Sequence, residues 1–433
     1  MSDMLGRLAG RAEQAEVFEI DSESTSVGFE ANKLKSFEVN QTRGVALRVV
    51  KDGRLGFAAS SDMEADDRLI ENALESAQHG DPVPVRFPGP ARGPDVEVYD
   101  PRLAELPTDG LIEVGREMIA TITEGDDKAL VRVELQRQVR STVVRNSNGG
   151  EVSTLKSPFS FALLVERVQQ DDVLLVHRFY STASWSEEYR AVAQALAEQL
   201  RLAREITTLR SGRMPVLFSP PGAVVLGLPL MLGLNGKDVY RGISPMAGKV
   251  GEKLFDEKLT LVDDPTINGR PGSASHDDEG VPHRRNVLID GGVVCGFLYD
   301  LKTAVQAGAE PTGNGERGLF SPPSPSFTNL VLQAGTTPVR EIIRGLDEAL
   351  LVESPLGVGQ GNVMSGAFSN SLSLAFKIEK GEIIGRVKDV SIAGNVYTDL
   401  KRIEALSREA EWVYGGMQLP YILLPALNVV TKA

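Results

Sequence analysis

Apolar and polar residues alternate with a period of two along several stretches of the chain, and elsewhere the apolar residues recur at helical spacing. Val45, Leu47 and Val49 share one side of an extended segment. That segment runs into Asp52-Gly53, residues that tolerate the positive φ of a tight hairpin. Leu69, Ile70, Ala73, Leu74 and Ala77 instead make a helical stripe, with Asp62 ahead of it as a candidate cap. The Pro- and Gly-rich stretch 81–101 predicts a surface connection. A second helix is expected after Thr108, with Leu111, Ile112, Met118, Ile119 and Ile122 inward. Strands resume at Val131, Val133 and Leu135. Val139 and Val143 then lead to Asn146-Ser147-Asn148-Gly149-Gly150, a strong turn signal. Residues 159–168 and 173–180 flank Asp171-Asp172 as another hairpin. Ser184 and Glu187 have capping-box spacing before a helix through Tyr189, Val192, Leu196 and Leu200.

That helix fades near Ser211-Gly212, which divides the chain into 1–210 and 211–433. Asp290-Gly291 and Lys380-Gly381 sit between apolar segments in the second part. Short strands joined this way favour antiparallel pairing, because a parallel crossover needs a dozen or more residues. Helices are expected over about 338–351 and 399–411. The fold class is therefore α+β in two domains: an N-terminal domain of helices and β-hairpins, and a C-terminal, mostly antiparallel sheet. The hairpins keep no fixed period, which excludes a solenoid or propeller.

Length supports the division, since 433 residues exceed one ordinary domain. A net charge of −13 repels a phosphate backbone, so nucleic-acid binding would need a local basic patch. Arg132, Arg137, Arg140 and Arg145 are the nearest candidates, but they alternate with apolar residues as the wet face of a strand does. Cys295 is the only cysteine, so no internal disulfide can form, and a reducing compartment fits. The first twenty residues lack the apolar core of a signal peptide. Residues 222–234 are apolar but broken by Pro229 and too short to span a bilayer. A cytoplasmic protein with no membrane partner is expected.

Candidate chemistry is sparse. Around Gly248-Lys249 the spacing from Gly242 is too long for a P-loop, and Val250 has no hydroxyl. Gly357, Gly359 and Gly361 mimic a nucleotide loop, but Asn362 replaces the third glycine and no βαβ unit surrounds them. His79 falls at a helix end and His177 in a strand. Cys295, among Val293, Val294, Phe297 and Leu298, reads as a small buried hydrophobe. The one concentrated polar cluster is His276-Asp277-Asp278-Glu279-Gly280-Val281-Pro282-His283. Its imidazoles and carboxylates could hold a divalent metal, supply an acid and a base, or contact a polar substrate or partner. Gly280 and Pro282 place it on a loop.

Several segments together resemble the TldD/PmbA family, once described as modulators of DNA gyrase. They are Asp277-Asp278-Glu279-Gly280-Val281-Pro282, then Val287-Leu288-Ile289-Asp290-Gly291-Gly292-Val293 and Gly296-Phe297-Leu298-Tyr299-Asp300. Pro311-Thr312-Gly313-Asn314-Gly315 and Thr328-Asn329-Leu330 continue the pattern, and Val250-Gly251-Glu252-Lys253-Leu254 and Val390-Ser391-Ile392-Ala393-Gly394-Asn395 also fit. The N-terminal half contributes Gly44-Val45-Ala46-Leu47-Arg48 and Gly56-Phe57-Ala58. TldD-type chains of the family carry His-Glu-x-x-x-His on a helix, which supplies two zinc ligands and a catalytic glutamate. The corresponding hexapeptide here is Gly227-Leu228-Pro229-Leu230-Met231-Leu232, with neither histidine nor carboxylate, and Pro229 would disturb a helix there. The resemblance thus implies a TldE/PmbA-type subunit without a metal or catalytic residues of its own. Zinc is expected in a TldD-like partner, and the complex would degrade unfolded or short peptides. Strand edges could bind such peptides through main-chain hydrogen bonds. His276, Asp277, Asp278, Glu279, His283, Gly313 and Asn314 are the candidate peptide-channel or interface residues. The alternatives are a self-sufficient metal-dependent hydrolase built on residues 276–283, or a homodimeric peptide- or protein-binding module.

Overall fold

The hairpin signals of the N-terminal half assemble into one seven-stranded sheet in a computed structural model that describes residues 3–170 and 172–432. Asp171, expected in a turn, lies outside the described residues. The strands are β1 (Gln14–Glu30), β2 (Lys33–Lys51), β3 (Arg54–Ser60), β4 (Leu130–Asn146), β5 (Glu151–Lys156), β6 (Phe159–Gln169) and β7 (Asp172–Thr182). Their order is β3-β2-β1-β4-β6-β7, with β5 beside β4 and every pairing antiparallel. Asp52 and Gly53 take φ of 52° and 68°, which closes β2 onto β3.

The helices of this half are α1 (Met4–Leu8), α2 (Asp66–Gln78), α3 (Pro101–Ala104), α4 (Thr108–Gly125) and α5 (Glu188–Leu202). The predicted stripe of α2 is buried against Val45, Leu47 and Val49. Helices α4 and α5 cover Val131, Val133 and Leu135 of β4. Beyond Gln136 the buried positions of β4 switch parity to Thr142, Val144 and Asn146. Neighbouring side chains of a strand point to opposite faces. One end of β4 therefore serves the helices, while the even-numbered face of its other end turns toward the C-terminal half, where Val144 packs with Leu319.

The C-terminal half is built on a twelve-stranded sheet. At its centre Gly212–Phe218 pairs antiparallel with Met417–Thr431 and parallel with Glu348–Pro355, which continues antiparallel to Ala367–Glu379. Helix α6 (Val224–Gly233) is buried against this sheet. The fold is α+β with sheet-rich halves. Leu217, Leu351, Phe376 and Leu423 of the second sheet share one apolar core with α4, α5 and β6, so the halves are packed together directly.

Several local expectations differ from the structure. Asp62 accepts from the Glu64 amide in a turn before α2, whose cap is Ala65; Asp66 and Asp67 in the first turn complement the helix dipole instead. Ser184 and Glu187 form no capping box, and α5 starts at Glu188. Helix 338–351 is only Val339–Arg344, and Leu350 and Leu351 belong to a strand buried on both faces. A continuous apolar run of that kind carries no period to separate strand from helix. Likewise the stretch 399–411 starts at the last residue of a short helical turn, Val396–Asp399, and runs into the strand Ala405–Val413. The supposed surface connection 81–101 buries Val83, Val85 and Phe87 against Val281 and Leu301, strapping the two halves together. Cys295 is exposed, because the chain alternates past the fully buried Val294. Pro229 lies inside α6 and the helix persists: tertiary packing around an almost wholly buried segment outweighs a local penalty of about 3 kcal/mol.

Candidate functional site

Residues 276–283 form a tight loop whose carboxylates are largely occupied in holding its shape. Asp277 Oδ1 accepts from the amides of Glu279 and Val281, both at 2.9 Å, and Oδ2 from the Gly315 amide at 2.8 Å. The positive φ of Gly280, 77°, lets the loop reverse within those bonds. Glu279 is fully buried. Its Oε2 accepts from the Leu301 amide at 2.7 Å and its Oε1 from Arg48 at 2.5 Å. Arg48 also grips Glu16 with two bonds of 2.9 and 2.7 Å, while Arg317 lies 2.7 Å from the same Glu16 carboxylate and stacks on Phe18. This buried network clamps β1 and β2 to the loop.

The electrostatics follow from that burial. Burial raises the Glu16 pKa, but Arg317 and Arg48 overcome it and hold the carboxyl below its usual range. Glu279 is pushed up to about 6, burial outweighing Arg48. Asp277 is raised well above the ordinary carboxylate range by burial and by neighbouring Glu279. An acid–base pair made from these two would have to abandon bonds that hold the loop. Among the described residues no group of three or more His, Cys, Asp or Glu is placed to hold a metal ion. The loop is therefore a poor candidate for a self-sufficient hydrolytic centre.

The remaining predicted residues divide. His276, Asp277, Asp278, His283 and Asn314 line a cleft of about 340 Å³ between the loop and the even-numbered face of β4. Glu279 and Gly313 do not. Gly313 closes the turn behind the cleft, where a Cβ would come within 2.7 Å of the Pro282 carbonyl. Asn314 donates to buried Asp263 at 2.7 Å, and burial pushes that carboxyl up to about 6. His276 is engaged by Ser275 Oγ and the Ala91 carbonyl. His283 is 7% exposed, its Nδ1 has no partner among the described residues, and burial drops its pKa to about 3. It is a neutral ring.

Sequence reasoning missed the opposite wall, which carries Gln138, Arg140 and Thr142 of β4 with Thr154 and Lys156 of β5. The four arginines read as one wet face do not share a face. Arg132, Arg137 and Arg145 reach Glu30, Glu23 and Glu19, while Arg140 turns into the cleft. The turn at residues 146–150 was the available signal, since it sets the β4–β5 register that places Lys156 opposite Arg140.

The cleft continues toward α6. Ser326, Phe327 and Thr328 line both it and a groove of about 330 Å³ walled by Met231 and Leu232. On its other side Leu228 and Pro229 border a groove of about 500 Å³ along residues 367–371. The Tyr397 hydroxyl donates to the Pro229 carbonyl at 3.0 Å. The hexapeptide Gly227-Leu228-Pro229-Leu230-Met231-Leu232 offers these grooves only aliphatic, thioether and backbone groups, which do not fit a zinc ion that needs imidazole, thiolate or carboxylate donors.

Residues 211–431 match the PmbA/TldA metallopeptidase C-terminal domain, and residues 15–77 match PmbA/TldA metallopeptidase domain 1. A relative named as a metalloprotease in Methanothermobacter thermautotrophicus is 25% identical over 426 residues, covering 94% of this chain and 91% of its own. A metalloprotease TldD homolog of Haemophilus influenzae is 34% identical over 224 residues, 51% of this chain and 45% of its own. The crystal structure of TldE from Thermococcus kodakarensis superimposes with a TM-score of 0.90 at 27% identity, covering 99% of each chain.

Proposed function

Because the chain belongs to the TldD/PmbA metallopeptidase family, we propose that it is a non-catalytic TldE/PmbA-type subunit that pairs with a zinc-bearing TldD-like chain. The observation that carries this reading is α6, where the family's zinc hexapeptide is replaced by side chains without a suitable lone pair. The likeness to a structure titled TldE supports it. In this reading the partner supplies zinc and hydrolysis, in the cytoplasm, on unfolded or short peptides. This chain supplies surfaces that the peptide follows: the grooves on both sides of α6 and the cleft beyond Phe327.

Two purified preparations test it. The chain alone should contain no stoichiometric zinc and cleave no peptide. Mixing it with a TldD-like chain carrying His-Glu-x-x-x-His should produce a heterodimer by light scattering and a chelator-sensitive peptidase. Proteolysis by the isolated chain at the rate of the mixture would overturn the proposal, as would a homodimer that ignores the partner.

A further inference from the structure

Arg140 and Lys156 face each other directly across β4 and β5. Opposed residues in an antiparallel pair stand about 5 Å apart at Cβ, and like charges placed so are destabilising. Such pairs are ordinarily relieved by a carboxylate. Here, among the described residues, the Lys156 ammonium donates only to the Pro271 carbonyl, at 3.0 Å, and the Arg140 Nε is buried without a partner. Among the described residues neither forms a salt bridge. Three carboxylates share the cleft, and Asp278 and Glu316 act on Lys156 through space, but Asp277 accepts from three backbone amides, Asp278 already accepts from the Arg317 amide and Glu316 is exposed.

The third element is His283. The Gly313 backbone bonds its ring; the residue lines the cleft, and its Nδ1 is buried with no partner among the described residues. A neutral imidazole whose other nitrogen donates to a carbonyl presents a lone pair at Nδ1. The cleft thus offers two cationic donors and, beside them, one acceptor.

We propose that this cleft binds the C-terminal end of a peptide, the terminal carboxylate lying between Arg140 and Lys156 and the last amide N–H donating to His283 Nδ1. A carboxylate with an N–H two bonds from it is the group that satisfies all three side chains at once. A fully ionised inorganic anion satisfies the cations but offers the imidazole no donor, whereas hydrogen phosphate carries a P–OH and is the sharper competitor. That the ligand is a peptide rests on the proposed function; the anion cradle rests on the geometry alone. The cleft joins the groove at Met231 and Leu232 through Phe327, so a chain anchored here would extend toward α6.

The test uses the full-length chain by itself, without any zinc subunit, so its outcome is separate from that of the reconstitution. Dansyl-trialanine as the free acid and as the C-terminal amide are titrated by fluorescence anisotropy, with inorganic phosphate as competitor. The free acid should bind at least about tenfold more tightly than the amide, the scale of one charge-assisted contact. Lys156→Met should remove that preference, and circular dichroism should show the variant folded. The acid/amide comparison on the unaltered protein needs no variant at all. Equal binding of acid and amide, or no binding of either, would overturn the proposal. Phosphate that saturates the cleft at lower concentration than the free acid would overturn the peptide assignment.

Discussion

Removing Arg48 tests the network that joins the N-terminal sheet to the candidate site. Arg48→Met keeps the first part of the side chain but removes the guanidinium that lies over the Phe87 ring and the cation shared by Glu16 and Glu279. Breaking a buried pair typically costs about 3–5 kcal/mol because a charge is left without a partner. Here Glu16 keeps Arg317 at 2.7 Å and Glu279 keeps the Leu301 amide, which places the expected loss near the lower end, about 3 kcal/mol. At about 2–4 °C per kcal/mol for a folding unit of this size, the melting temperature should fall by roughly 10 °C. The pH dependence separates charge from packing. Glu279 has a folded pKa raised to about 6, so its burial already disfavours the folded state as pH rises through that value. Without Arg48 the folded pKa rises further, and the penalty then keeps growing above pH 6, where that of the unaltered protein is complete. Glu16, held below its usual range, stabilises the fold above that range and loses the contribution as pH falls. The gap in melting temperature between variant and parent should accordingly be wide at pH 8 and narrow at pH 5. A gap equal at the two pH values, or below about 1 kcal/mol at both, would refute the network as an electrostatic clamp.

Other consequences can be checked with the same preparation. Lys156, lowered to about 8 by burial with Asp278 opposing, loses its proton as pH rises through that value, so free-acid peptide affinity should decline above pH 8. The other groups facing it are Arg140, His276, His283 and Glu316, and a flat profile from pH 7 to 9.5 would contradict its role. Asn314→Leu removes the donor to Asp263 Oδ2 and should cost about 1–3 kcal/mol. Asp263 already titrates near 6, so the loss, read by urea unfolding, should be larger at pH 8 than at pH 5, and a neutral effect would dismiss the bond as structural. Restoring the hexapeptide by Gly227→His, Leu228→Glu and Leu232→His together should still give no stoichiometric zinc by elemental analysis. Catalytic zinc takes three protein ligands, and a Cβ at Gly227 would sit 3.1 Å from Met417 Sδ. A one-to-one metal content would show that the scaffold alone suffices.

What was legible in the chain was whatever depends on local period and turn chemistry. The stripe from Leu69 to Ala77, the Asp52-Gly53 turn and the α+β class required no knowledge of distant residues. What failed were segments where burial on both faces erased the period, such as Leu350-Leu351, or where tertiary packing overrode propensity, as at Pro229. The site divides along the same line. His276 to His283 could be seen because the polar residues are contiguous, yet contiguity misled about chemistry: Asp277 and Glu279 spend their acceptor capacity on backbone amides and Arg48. Arg140 and Lys156 stand sixteen positions apart, and each alone resembles an ordinary surface cation. Their meaning comes from the register imposed by the 146–150 turn, followed by the switch in the buried parity of β4 that points the even-numbered face into the cleft. A pair of opposed cations that no carboxylate bridges among the described residues, and that Asp278 and Glu316 relieve only through space, is a cost the fold carries locally. That cost is explained if an anion from outside the chain completes the arrangement, and acid-versus-amide binding measures that completion directly.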